Sequence, residues 1–352
     1  MLNVIFKKSL IKICAAVCLF LPCQITYAAK CIELSDLAML PSKVESSKCY
    51  EIVSDGAFNH AVEISGHVII KAGSTVTLLK GDTLNLRRRG ILTVRGEFIA
   101  QNKSTLNLEL MSSFLSQGRT VVKEDTVVNL GKSSTFKSIG ALEVLPQSLF
   151  ALTDNSKLEL SGRSVLDNAV ISMKGGTFEN KGTLELSAGS RIISSKNAMV
   201  ANHGKFTLCS GSSVTLSGSS QLSNRRNIFL QGSLSFADTA SCVNYGIFEI
   251  EQGGNLLFGD GASLGNQHVM NLKGVMSMTG HSAFENRNGF KIYESGLLEL
   301  DASSRLINRG SIYNDGGMAA SGEAVFDNKK FYFDARNKPQ EQAPAAPRQI
   351  GI

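Results

Sequence analysis

Asn180-Lys181-Gly182-Thr183-Leu184-Glu185-Leu186 and Asn244-Tyr245-Gly246-Ile247-Phe248-Glu249-Ile250 follow one plan. An asparagine leads, a glycine follows two residues on, and two apolar residues then flank a polar one. The asparagine recurs as Asn180, Asn202, Asn224, Asn244, Asn266, Asn286, Asn308 and Asn328, at intervals of 22, 22, 20, 22, 20, 22 and 20 residues. Phe178, Val200, Leu222, Cys242, Leu264, Phe284, Leu306 and Phe326 stand two residues before it. Leu184, Phe206, Ile228, Phe248, Met270, Phe290, Ile312 and Tyr332 stand four after it. A fixed period shared by whole sets of apolar positions marks a solenoid.

Alternation of polar and apolar residues, as in Thr183-Leu184-Glu185-Leu186, predicts a half-buried strand, because successive side chains point to opposite faces. A second short strand follows in each unit, as in Val214-Thr215-Leu216 and Leu234-Ser235-Phe236. The shorter units lose two residues in the intervening turn, where Ser210-Gly211-Ser212-Ser213 contracts to Gln231-Gly232. Turns absorb such changes, while a ladder shifted by one residue would expose its apolar face. One unit is too small to bury that face alone, so neighbours must stack. The predicted fold is all-β: a single-stranded, right-handed parallel β-helix with 20–22 residues per coil.

The repeated asparagine is read as structural, at a tight corner where Asn tolerates left-handed backbone and its side chain bonds neighbouring backbone. Gly182, Gly204, Gly246 and Gly310 imply a second unusual dihedral there. Stacked asparagines also predict an amide ladder along the axis.

Residues 1–28 read as a secretory signal: Lys7, Lys8 and Lys12, an apolar core from Ile13 to Leu21, and Thr26-Tyr27-Ala28 for cleavage. Cys23 is a poor lipidation site, because Pro22 stands where a small residue is wanted. Removing the signal lowers the net charge from +6 to +3, which argues against nucleic acid as partner. Arg87-Arg88-Arg89 reads as a solvated strand end, and the mature chain has no stretch long and apolar enough for a transmembrane helix. Of the remaining cysteines, Cys31 and Cys49 suit a disulfide in an oxidising compartment, Cys242 a buried core position and Cys209 an outward one.

Residues 29–57 are expected to cap the first coil, with a short helix beginning at Ser35 or Asp36. Residues 58–333 are expected to form the solenoid, its coils regular from about residue 165 and degenerate before. Pro146 points to an irregular loop near 138–157. Residues 334–352, rich in Pro, Ala and Gln, read as a disordered tail.

Sugar-cleaving enzymes built on stacked coils would need facing carboxylates. Position five of successive units reads Glu185, Thr207, Phe229, Glu249, Asn271, Lys291 and Tyr313; position seven reads Ser187, Cys209, Gln231, Glu251, Lys273, Tyr293 and Asp315. Glu249 and Glu251 near Lys273 and Lys291 form the strongest patch, and mixed surface charge explains it better than catalysis. His60, His67, His203, His268 and His281 share no offset that suits a metal. The run Gly253-Gly254-Asn255-Leu256-Leu257-Phe258-Gly259-Asp260 lacks the repeated ligands of a calcium nonapeptide. No catalytic, cofactor-binding or metal-binding residue is assigned.

The asparagine–x–glycine–x–apolar–x–apolar pattern resembles the passenger repeats of bacterial autotransporters and haemagglutinin-type adhesins, well over about 165–333 and loosely over 58–165. The resemblance implies an exported β-helix whose shaft presents an interaction surface. No C-terminal membrane barrel is expected, so export would take another route. The expected function is that of a non-enzymatic surface, periplasmic or secreted interaction protein, adhesin-like, with a cell-surface protein or polysaccharide as partner. A β-helix polysaccharide lyase or hydrolase is the alternative, and an effector acting in a host is a third reading. Fold alone does not choose among them.

Overall fold

The alternation described above closes on itself three times per turn. The computed structural model describes residues 31–58 and 60–335, and there the chain is an all-β parallel solenoid of about 14 turns. The expected signal and nearly all of the expected tail lie outside the described residues. Sheet 1 holds 15 strands, from Ile32–Leu34 to Val325–Asn328. Sheet 2 holds 14, from Gly56–Phe58 to Phe331–Asp334, and sheet 3 holds 14, from Lys43–Val44 to Gly317–Ala320. One coil therefore carries three strands, for example Thr177–Asn180, Thr183–Leu184–Glu185–Leu186 and Arg191–Ser195. The sequence reading found two. It missed the strand that ends on the asparagine, because that strand merges with the supposed corner.

All pairing is parallel and in register, Asn180 opposite Asn202 and Leu184 opposite Phe206. Inward residues such as Phe178, Leu184, Leu186 and Ile192 are fully buried, each contributing roughly 1.5–3 kcal/mol over exposure. Three strands per coil persist in the earlier coils without any asparagine marking them. Around Pro146 the chain is regular as well: Leu142–Val144 and Leu149–Thr153 are strands joined by a short turn, with Gln147 at φ 63. The loop expected over 138–157 is absent, because one left-handed residue completes the turn.

At the N-terminal end, Ile32–Leu34, Lys43–Val44, Cys49–Ile52 and Gly56–Phe58 already belong to the three sheets. The helical segment between them is a single 3-10 turn, Leu37–Met39, whose Ala38 N–H donates to the Asp36 carboxylate at 2.9 Å. Leu37 and Leu40 from this turn are buried over the first coil. A disulfide joins Cys31 and Cys49, with Cα atoms 4.6 Å apart.

The asparagines do not occupy left-handed backbone. Each of Asn180, Asn202, Asn224, Asn244, Asn266, Asn286, Asn308 and Asn328 is the last residue of a sheet 1 strand. Among non-glycine residues, positive φ falls instead at the other two corners, for example at Arg89, Met111, Asp238, Asp260 and Ala302 between sheets 3 and 1. The corner glycines likewise keep ordinary φ. They are required by proximity: a Cβ on Gly204 would lie 1.9 Å from the Gly182 carbonyl oxygen, and one on Gly246 would lie 1.9 Å from that of Arg226. The corner is tight between coils, not within one.

Candidate interaction surface

Because the core faces inward, chemistry on this molecule is confined to the three outer faces and the corners. The asparagine column runs inside the corner between sheets 1 and 2. Asn180 donates through Nδ2 to Asn202 Oδ1 at 2.8 Å and to the Lys205 carbonyl at 3.0 Å. The pattern repeats from Asn202 to Asn224 (2.8 Å), Asn244 (2.7 Å), Asn266 (2.8 Å), Asn286 (2.8 Å), Asn308 (2.9 Å) and Asn328 (2.8 Å). Every rung points its donor toward the C-terminal end. Asn180 through Asn308 are buried, so these amides are closed to ligand, and each donor is satisfied by the oxygen of the next asparagine instead.

Glu249 and Glu251 lie on the outer face of sheet 2 and beside it. Lys273 Nζ bridges them, at 2.7 Å from Glu249 Oε1 and 3.2 Å from Glu251 Oε2. The hydrogen bond it donates to Glu249 is the main reason the Lys273 pKa is raised. Lys291 pairs with Asp315 at 3.5 Å and sits 4.4 Å from the Tyr293 ring centre. Both carboxylates are thus held by one ammonium.

The histidines are dispersed. His67 donates or accepts at 3.0 Å with Thr93, and burial, aided by Arg95, lowers its pKa. His203 approaches Glu179 at 3.6 Å. Among the described residues, no three His, Cys, Asp or Glu side chains are grouped as a metal site. Cys209 is half-buried and Cys242 fully buried, and both are free thiols. Arg87 is held between Glu63 and Glu109, while Arg89 forms a left-handed corner. The Gly253–Asp260 run is a turn followed by the strand Asn255–Phe258.

Two surface features escaped the sequence reading. On sheet 1, Glu159 is almost buried and is bonded by Lys137 (3.0 Å), Lys157 (2.9 Å) and Lys181 (3.2 Å). Burial works to raise its pKa, but these three lysines outweigh it and hold the group at about 2. The offsets 137, 159 and 181 follow the coil period, and that was the available signal. On sheet 3, Asn107 donates to Asn85 and Asn129 to Asn107, each at 2.8 Å, forming a second and partly exposed amide row.

The outer face of sheet 2 changes character toward the C-terminal coils. Tyr293, Tyr313 and Phe331 fall in three successive coils, with Tyr313 and Phe331 46% and 49% exposed and their rings 5.2 Å apart. Lys273 and Lys291 flank Tyr293, and a shallow hollow of about 380 Å³ is lined by Lys273, Tyr293, Glu294 and Ser295. Another hollow of about 480 Å³ lies on the same face near Arg119, Glu143, Arg163 and Asp167. There Arg119 is already bound by Glu97 and by Glu143, the latter at 2.7 Å.

No protein-family model and no curated protein matches this chain. Among solved structures, the chain is similar to the crystal structure of a TibC-catalysed hyper-glycosylated TibA fragment. The two share 12% sequence identity with a TM-score of 0.48, over 85% of this chain and 97% of that one.

Proposed function

We propose that this is an exported, non-enzymatic β-solenoid of the adhesin type, whose shaft presents the C-terminal part of sheet 2 to a cell-surface polysaccharide. The pair of rings Tyr313 and Phe331, with Tyr293 set diagonally beside it between Lys273 and Lys291, carries the reading. The exposed rings of Tyr313 and Phe331 and the half-buried ring of Tyr293 offer apolar platforms, and their neighbours Lys273, Lys291, Glu249 and Asp315 supply hydrogen-bonding groups. Those charges neutralise one another, so the surface favours a polar, extended and weakly charged ligand. The basic-start segment at 1–28 supports export, and the repeat resemblance supports the adhesin class.

The test is binding of the purified protein to a glycan array and to intact cells. Replacing Tyr293 and Tyr313 together by alanine should weaken binding about tenfold or more, as loss of aromatic anchors does. Glu249→Gln with Glu251→Gln should leave it intact. Cleavage of a polysaccharide that is abolished by the glutamine pair would overturn the reading in favour of an enzyme. Capture by a protein alone would overturn the choice of ligand.

A further inference from the structure

The corner between sheets 3 and 1 reverses its hydrogen bonding partway along the solenoid. In the earlier coils its backbone donates to the next coil: Arg89 N–H to the Leu110 carbonyl at 3.1 Å, Met111 to Lys132 at 3.3 Å and Ser133 to Asp154 at 3.2 Å. In the later coils it donates to the preceding one: Ser219 to Lys196 at 2.6 Å, Thr239 to Gly218 at 3.1 Å and Gly261 to Asp238 at 2.8 Å. Between the two directions lie the corners Asp154-Asn155-Ser156, Gly175-Gly176 and Lys196-Asn197-Ala198. Their carbonyls at Asp154 and Lys196 accept from outside the group, from Ser133 and Ser219. Among the described residues, no acceptor is bonded to the backbone N–H of Asn155, Gly175, Gly176 or Asn197. Unpaired donors brought together in this way call for a partner.

The middle corner is also the shortest. Gly175-Gly176 has two residues where the corners on either side have three, so it is drawn inward. Gly175 is buried, while Asp154, Asn155, Lys196 and Asn197 stand exposed around it. Both glycines have left-handed backbone, at φ 93 and 77. The result is a notch of about 280 Å³, lined by these corners and by Lys132 and Lys174. Among the described residues, Lys132, Lys174 and Lys196 pair with no carboxylate, and Asp154 is the one acid in the lining. The notch is therefore net positive, with backbone donors at its floor.

We propose that this notch binds a tetrahedral oxyanion, a phosphate or sulfate group. Its oxygens take the unpaired N–H groups of Gly175 and Gly176, and Lys174 and Lys196 meet its charge. Successive backbone N–H groups in a turn form anion-binding concavities of this kind. Coils stand about 4.8 Å apart, so the donors of the three corners approach from one coil before, level with and one coil after the bound group. Four tetrahedrally placed oxygens suit that spread better than the two of a planar carboxylate. The absence of a side chain at Gly175 lets the group reach the floor. The notch lies on a different edge of the solenoid from the aromatic surface on sheet 2, and it does not depend on that surface.

Amide chemical-shift titration of the full chain with inorganic phosphate, at constant ionic strength in chloride, tests the proposal. The amide protons of Gly175 and Gly176 should move downfield along a saturable curve. Those of Gly211 and Gly253, which are also left-handed, should stay in place. Lys174→Gln with Lys196→Gln should weaken binding about tenfold or more, as expected for lost charge-assisted contacts. Both lysines are exposed, so this pair should leave the fold intact. Asp154→Asn should tighten binding by removing the one negative charge from the lining. Glucose 6-phosphate separates the two sources of the group, and either result keeps the site: equal or tighter binding assigns an ester, and much weaker binding assigns the inorganic ion. Shifts that stay linear in phosphate, that spread evenly over the corner glycines or that ignore the lysine pair would overturn the proposal.

Discussion

Sheet 1 carries the same inward column from end to end, yet its two halves fill it with different chemistry. In the first half the column reads Ile52, Ile70, Val94, Ser116, Ser138 and Leu160; in the second it is asparagine from Asn180 to Asn328. Apart from the exposed Asn328, both versions are buried in the same parallel register. An apolar residue suits that corner in any company. A buried amide suits it only beside another amide, because its donor needs an acceptor one coil away. Asn180 shows the boundary: its Nδ2 meets Asn202, but its Oδ1, next to Leu160, has no partner. Interleaving the two fillings would orphan polar groups, and this explains why the asparagines come in one unbroken run.

The glycines are common to both halves. Gly118 and Gly140 approach the carbonyls of Gly96 and Gly118 at 1.8 Å from a would-be Cβ, much as Gly204 and Gly246 do later. Gly118→Ala and Gly246→Ala should therefore each cost about 3 kcal/mol or more in urea unfolding. Gly289→Ala, which would meet nothing within 4 Å, should cost far less. Unequal losses at Gly118 and Gly246 would show that the two halves are not built on one corner.

Next in size, Asn244→Leu should cost about 2–3 kcal/mol, since it strips Asn266 Oδ1 of its donor and Gly246 N–H of its acceptor. Unchanged stability would remove the ladder from the account. Smaller effects sharpen the boundary. Ile70→Asn puts a lone amide between Ile52 and Val94 and should cost about 1–3 kcal/mol beyond its lost apolar burial. Leu160→Asn can donate to the orphan Oδ1 of Asn180, so it should be milder by about 1 kcal/mol, as read from paired melts.

The smallest expected effect lies on the surface at the same boundary. Glu159 is ionised more readily folded than unfolded, so its contribution is present above the ordinary carboxylate range. It is lost as pH falls from about 4.5 toward about 2. Glu159→Gln should lower stability at neutral pH and flatten the acid limb of the stability profile. An identical acid limb in the two proteins would count against the three-lysine clasp.

Much of the fold was legible in the sequence. The spacing of eight asparagines sets coil length and register, and the contraction at Gln231-Gly232 is where the strands Asn227–Leu230 and Ser233–Phe236 nearly meet. The third strand was hidden, since Thr177–Asn180 offers only one inward apolar residue before its amide. Left-handed corners were hidden too, because Arg89, Met111, Asp260 and Ala302 give no signal of that geometry. The glycine role was misread, as closeness between coils depends on residues some twenty positions away. The surface was the least legible part. Glu159 meets its lysines, and Tyr313 its neighbouring rings, only after the coils stack.

A double-mutant cycle in urea on Asn244→Leu and Asn266→Leu addresses the amide run most directly. The two residues share a 2.8 Å hydrogen bond, and once one is gone the other's partner is already lost. Losses that overlap by about 1 kcal/mol or more would be the expected result. Losses that simply add would mean that neighbouring amides do not depend on one another, contradicting the account.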